Sequence, residues 1–361
     1  MIDLFSSTLS FVSFFISFKS YDDEDSGPDE DDDQDISFTP SRPVGPQFDS
    51  LTRNTKAGLV HPINFFKLFF TAELVSNICR FTNDYALGHG HVHEFLSYGD
   101  KDGTWSNHVD SQEMYAFIGM LIYMGLHELP NLNCYWSHSW AFYNPVAHQF
   151  GTRLRFESIL QFLHVVDYTK ENRETEGRLT KIKYLLDYIR DRCMTLFQPS
   201  EYISIDERMV KSKGRSGMRQ YIRDKPIKWG FKLWVLADSI AGYTYNFFVY
   251  TGKSTGGTSE HGLGYTVVFD LLRSLLKQGY HVFFDNFYTS VQLLRDLFTN
   301  KTYATGTILR TRKNFPQELK VTTHDFQKKS ERGDMRWTRL KEILCVQWMD
   351  KKLVTLMSTK H

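Results

Sequence analysis

Apolar positions change their spacing near Pro199. Between Phe65 and Pro199 they recur every three or four residues, the period of helices with one buried face. Leu74, Ile78, Phe81 and Tyr85 form one stripe, and Phe117, Ile118, Leu121 and Ile122 a second, preceded by Asp110 and Glu113 at capping spacing. Phe156, Ile159, Leu160 and Leu163 predict a third helix. Ile182, Leu185, Leu186, Ile189, Cys193 and Leu196 predict a fourth, which Pro199 ends. Alone, these stripes say only that residues 60–200 form a helical domain.

After Pro199 the pattern turns to strands. YISID alternates, and KWGFKLWVLAD and YTYNFFVYTG are rich in aromatic and β-branched residues, so three adjacent strands are predicted. FDLLRSLLKQG predicts a helix closed by Gly279, YHVFFD a buried strand, SVQLLRDLF a helix and YATGTILR a strand. The order βββαβαβ is the opening order of the ribonuclease-H-like fold. From about Lys313, RWTRLKEILCVQW and KLVTLMST flank an Asp350-Lys351-Lys352 turn in a further short-strand region. The expected class is α/β: a ribonuclease-H-like mixed-sheet core (201–312) after an α-helical domain (60–200), then the start of a β-rich insertion (313–361).

The amino-terminal stretch FVSFFISF resembles the centre of a signal peptide, but Asp3 precedes it and no basic segment or cleavage site accompanies it. It is also shorter than the roughly 20 residues of a membrane span, so no membrane role is expected. YDDEDSGPDEDDDQD repels itself and has almost nothing to bury, so residues 1–59 read as an acidic disordered tail.

Charge looks balanced until this tail is set aside. Residues 1–35 hold eleven acidic and one basic side chain, which leaves 42 Lys and Arg against 31 Asp and Glu, or +11, on the rest. A basic body suits a polyanionic partner, although a solvated surface fits the charge alone equally well. With 361 residues and 15% aromatic side chains, the chain can bury two cores. Cys79, Cys134, Cys193 and Cys345 form no CxxC pair, so neither a zinc site nor a disulfide framework is expected. His89, His91 and His93 alternate in GHGHVHEF, a spacing open to a metal, yet the glycines suit a surface loop better.

Two aspartates stand at the carboxyl ends of predicted strands, Asp206 in ISIDERM and Asp285 in VFFDNFYTS. Carboxylates on the first and fourth strands of such a sheet converge at its centre and can hold hard divalent ions for phosphodiester chemistry. Asp also suits turns and helix starts, and spacing alone leaves both readings even. Between them lies a run with eight cations, Lys211, Lys213, Arg215, Arg219, Arg223, Lys225, Lys228 and Lys232, opposed only by Asp224. Tyr221, Trp229 and Phe231 are interleaved with them, which suits phosphate contacts and base or sugar packing; a solvated hairpin is the alternative.

At these residues the chain resembles the piggyBac transposase family, including its domesticated transposable-element-derived members. FFKLFFTAELVSNICRFTN, AFIGMLIYMGLHELPNLNCYWS, RFESILQFLHVVD, ISIDERMVKSKGRSGMRQYIRDKPIKWGFKLWVLAD and GYHVFFDNFYTSVQLLRDL carry the resemblance, in the family's order, within residues 60–320. It implies a helical dimerisation and DNA-binding domain, a catalytic core with Asp206 and Asp285 as the first two catalytic, metal-binding aspartates, and Mg2+ or Mn2+ as cofactor. It also implies double-stranded DNA as partner, excision and insertion at TTAA through a hairpin intermediate, and a nuclear location. The family's third aspartate, in a motif like YNxxMGGVD, and its cysteine-rich tail are not found in these 361 residues. Asp325, Asp334 and Asp350 sit in polar loops or a turn and are not expected to replace it. The expectation is a transposase lineage inactive as drawn. The alternatives are a non-catalytic DNA-binding or chromatin protein, and an interaction fragment that pairs with itself or with intact relatives.

Overall fold

A computed structural model of the chain describes residues 36–48, 61–89, 108–171, 177–223, 225–252 and 260–361. The FVSFFISF stretch, the acidic block, His91, His93 and Asp224 lie outside the described residues. The chain divides into two compact units. One contains the described residues of 61–192 and 209–231; the other contains those of 36–48, 193–208 and 232–361.

The first unit is helical, with α1 Pro62–Phe69, α2 Ala72–His89, α3 Ser111–Leu126, α4 Pro145–Phe150, α5 Arg153–Phe162 and most of α6 Lys183–Leu196. The predicted stripes face inward: Leu74, Ile78 and Phe81 of α2, Phe117, Ile118 and Leu121 of α3, and Phe156 and Ile159 of α5 are buried. Asp110 caps α3 by accepting from the Glu113 N–H at 2.8 Å. The Glu113 carboxylate is taken by Arg155 through two bonds of 2.7 and 2.6 Å, a fork that ties α3 to α5.

The second unit is built on a sheet. Its strands are β3 Tyr202–Lys211, β5 Trp229–Asp238, β6 Thr244–Val249, β7 His281–Phe284, β8 Tyr303–Thr307, β9 Met335–Leu340, β10 Ile343–Met349 and β11 Leu353–Ser358. The outer ends of β3 and β5, with the short β4 Gln220–Tyr221, run on into the first unit as a hairpin. Strand order is β6-β5-β3-β7-β8-β11-β10-β9, and β3, β7 and β8 are mutually parallel. The first five follow the predicted ribonuclease-H-like order, with α7 Leu263–Leu272 and α8 Val291–Thr299 as the intervening helices. Ile203, Ile205, Val282, Phe284 and Ala304 on one sheet face pack against Val268 and Leu271 of α7 and Leu293, Leu294 and Leu297 of α8. Each buried Val, Ile, Leu or Phe among them contributes about 1.5–3 kcal/mol of hydrophobic transfer.

Two boundaries carry more structure than the sequence suggested. The β-rich residues 313–361 join the core sheet: β11 pairs with β8, and Ile343, Cys345 and Met357 complete the same core. Before them lie the short helices α9 Gln317–Val321 and α10 Thr323–Lys329. Likewise, residues 36–48, assigned to the tail, are ordered. There β1 Gly45–Pro46 pairs with β2 Phe197–Gln198, Phe38 packs edge-on to Tyr280 at 5.0 Å, and Arg42 donates to the carbonyls of Met194 and Thr195 at 2.6 and 2.9 Å. Gly279 makes this possible. It holds φ +79°, and a Cβ there would stand 2.2 Å from the Ser37 carbonyl oxygen.

On the sheet face opposite the helices, His281 Nε2 bonds Thr305 Oγ1 at 2.8 Å and the imidazole is buried. Burial, reinforced by the Lys360 ammonium, pushes its pKa from 6.5 down to about 4. The unfolded chain therefore binds a proton that the native chain refuses between these values. This contribution is complete above pH 6.5 and is lost as pH falls towards 4. In urea unfolding at pH 7 and 4.5, the wild type should lose about 2 kcal/mol more than His281→Gln. Equal losses would mean that His281 titrates natively as it does in the unfolded chain.

Candidate functional site

β3 and β7 pair in parallel over four rungs, Tyr202↔His281 to Ile205↔Phe284. Asp206 is the next residue of β3 and Asp285 the first residue after β7, so their main chains emerge side by side, about 5 Å apart at ordinary strand spacing. Asp206 does not end its strand, as predicted, because β3 continues to Lys211. It stands instead where β3 parts from β7. Both aspartates are exposed.

Local hydrogen bonds orient the two side chains. Asp206 Oδ1 accepts from the Glu207 N–H at 2.7 Å, and Asp285 Oδ1 from the Phe287 N–H at 2.9 Å. The turn after Asp285 is held by Thr289, whose hydroxyl donates to the Asp285 carbonyl at 2.8 Å, and by Arg312, which donates to the carbonyls of Asn286 and Phe287 at 2.6 Å each.

Sequence reasoning missed the residues beneath. Glu207 pairs with Lys232 at 3.0 Å, with their side chains only 12% and 13% exposed. The Lys232 ammonium sits 3.8 Å from the Trp234 ring centroid and 5.1 Å from that of Phe287. Burial raises the Glu207 pKa, and the neighbouring Asp206 carboxyl raises it further, while Lys232 opposes both. Tyr288 lies in the same cluster with a buried hydroxyl. Burial, then the charges of Glu207, Asp206 and Asp285, push that phenol far up. The available signal was Glu207 itself, a charge at the position after Asp206 where strand alternation turns inward.

The eight cations of the basic run separate by environment. Lys232 is not on the hairpin surface: it is drawn into the second unit as the counter-charge of Glu207. Arg219 is half-buried and donates to the Lys213 and Gly214 carbonyls at 3.3 and 2.9 Å. Lys211, Lys213, Arg215, Arg223 and Lys228 are exposed and Lys225 is half-exposed, with Lys211 4.0 Å from Glu128. Phe231 is buried, whereas Tyr221 and Trp229 are not.

Asp325, Asp334 and Asp350 do not join the two aspartates. Asp325 lies exposed in α10, Asp334 accepts from the Glu331 N–H at 2.9 Å, and Asp350 pairs with Arg332 at 2.8 Å. The Asp350 turn links β10 and β11, and two strands, β8 and β11, separate β10 from β7 in the sheet. Among the described residues no three or more His, Cys, Asp or Glu side chains gather to hold a metal. His89 stacks on Tyr85 instead. No helix among the described residues is long and apolar enough to cross a membrane.

Known proteins are similar to this chain in sequence and fold. The family model described as Transposase IS4 matches residues 61–361. Human PiggyBac transposable element-derived protein 3 is 31% identical over 304 residues, covering 82% of this chain and 48% of its own length. Human PiggyBac transposable element-derived protein 2 is 28% identical over 376 residues, covering 93% of this chain and 58% of its own. The chain thus spans about half the length of these curated relatives. A cryo-EM structure of a piggyBac transposase synaptic complex with hairpin DNA superposes with a TM-score of 0.71 at 23% identity. That match covers 88% of this chain and 63% of the other, and shows the shared fold. The chain belongs to the piggyBac-type transposase family.

Proposed function

We propose that this transposase-derived chain binds DNA in the nucleus and that Asp206 and Asp285 are two carboxylates of a metal-dependent site for phosphodiester cleavage and strand transfer. The observation that carries this reading is the shared rung Ile205↔Phe284, which delivers both acids to one place. The donor set suits Mg2+ or Mn2+: it is all oxygen, and the Phe287 N–H takes only one of the lone-pair positions that the Asp285 carboxylate offers. Magnesium is ordinarily held by one or two carboxylates with waters and substrate phosphates, so a two-acid site is adequate for binding. When bound, such an ion supplies Lewis-acid stabilisation to phosphoryl oxygens.

The remaining tasks fall to the protein. Arg312 and Thr289 fix the turn that carries Asp285, and the Lys232 ammonium neutralises Glu207 so that its charge does not add to that of Asp206. Exposed Lys213, Arg215 and Lys228 take DNA phosphates, a contribution that grows by counterion release. With Glu207 engaged by Lys232, Asp206 and Asp285 are left as a two-acid site, and the chain alone should bind both metal and DNA while turning over little. Losing one member of a catalytic unit costs on the order of 10³-fold or more. A purely DNA-binding role is the second reading, favoured by the exposed cations Lys213, Arg215 and Lys228.

Calorimetric titration with Mn2+ separates the two. A saturable site that weakens by at least about tenfold in both Asp206→Asn and Asp285→Asn is expected, since even outer-shell changes cost that much. Wild-type affinity in both variants would leave only the DNA-binding role. For DNA, the triple variant Lys213→Ala, Arg215→Ala, Lys228→Ala should flatten the dependence of log K on log salt by about one unit per residue removed. An unchanged slope would remove these cations from the interface.

A further inference from the structure

The β4–β5 ribbon carries two rings that packing within the fold does not use up. Tyr221 and Trp229 are cross-strand partners with centroids 5.0 Å apart and planes tilted by 47°. Cross-strand aromatic pairs usually stabilise a ribbon by burying one another. Here Tyr221 remains 53% and Trp229 52% exposed.

The rings are nevertheless held in place. The Arg219 guanidinium lies 5.1 Å from the Trp229 centroid, and the loop carbonyls of Lys213 and Gly214 anchor that guanidinium in turn. The Ile222 N–H donates to the Lys228 carbonyl at 2.9 Å and closes the ribbon beside the pair. Gly230 lets β5 press against β3, since a Cβ there would stand 2.1 Å from the Val210 carbonyl oxygen. The same hairpin run carries the exposed cations Lys213, Arg215, Arg223 and Lys228. An apolar protein partner would have to desolvate those charges, which is costly. A planar group attached to a polyanion would use rings and cations together.

We propose that Tyr221 and Trp229 form a stacking wedge for an unpaired nucleobase, so that the hairpin prefers distorted or single-stranded DNA to a fully paired duplex. The proposal rests on the DNA-binding reading and adds the kind of DNA structure recognised. In a paired duplex both faces of a base are already stacked, and only its backbone reaches the ribbon. An unpaired base offers its face to the rings while the cations hold its flanking phosphates, and such stacking tolerates any sequence.

Three fluorescent DNA probes test this by anisotropy with the full chain: a paired duplex, the same duplex with an internal bubble of unpaired thymines, and that bubble with abasic sites in place of the thymines. The wild type should bind the thymine bubble about tenfold more tightly than the abasic one, because backbone charge is equal in the two. Tyr221→Ala with Trp229→Ala should erase this ratio yet keep the affinity for paired duplex and its salt slope; Trp229→Phe should retain most of the ratio. The proposal is overturned if the wild type binds both bubbles equally while still binding duplex, or if the double alanine variant keeps the preference. A wild type that binds none of the probes would sink the DNA-binding reading and this proposal together.

Discussion

Four main-chain rungs between Tyr202–Ile205 and His281–Phe284 bring together residues 79 positions apart, counting from 206 to 285, and the chemistry proposed for the second unit depends on them. A parallel pair needs a crossover connection, and here β5, β6 and α7 supply it. Register is not adjustable, because a slip of one residue would turn Ile203, Ile205, Val282 and Phe284 out of the core. The burial that stabilises the sheet is therefore the same constraint that sets Asp206 opposite Asp285.

Beneath the two acids the protein holds charges that it must compensate. Glu207 and Lys232 are nearly withdrawn from water, and a pair in that position adds little net stability but becomes expensive once either partner is lost. Its setting shows what the compensation accomplishes. The ammonium rests on Trp234 and Phe287, and Phe287 also supplies the N–H that orients Asp285. A basic residue of the hairpin run thus ends as a structural support of the acidic site, while its exposed neighbours stay at the surface.

Much of this was legible in the chain. Helical stripes through Leu74, Phe117 and Phe156 predicted buried faces, and the order βββαβαβ predicted which strands carry the aspartates, because periodicity reports burial directly. The full length of β3 was not legible: Glu207 and Arg208 break the apolar alternation, and the charge of Glu207 is compensated by Lys232, 25 residues along the chain. Nor could composition reveal that Arg42 and Phe38, next to an acidic segment, dock on carbonyls and a ring far along the sequence. The cations likewise read as one run, and only packing distinguishes Lys232 and Arg219 from Lys213 and Lys228.

We propose that a shared register lets two remote carboxylates serve one divalent ion. Anomalous diffraction from crystals grown with Mn2+ would decide this. A manganese peak within about 2.5 Å of a carboxylate oxygen from both Asp206 and Asp285 is expected. Manganese bound elsewhere with none at this pair, or the two carboxyl groups turned to opposite faces of the sheet, would contradict it.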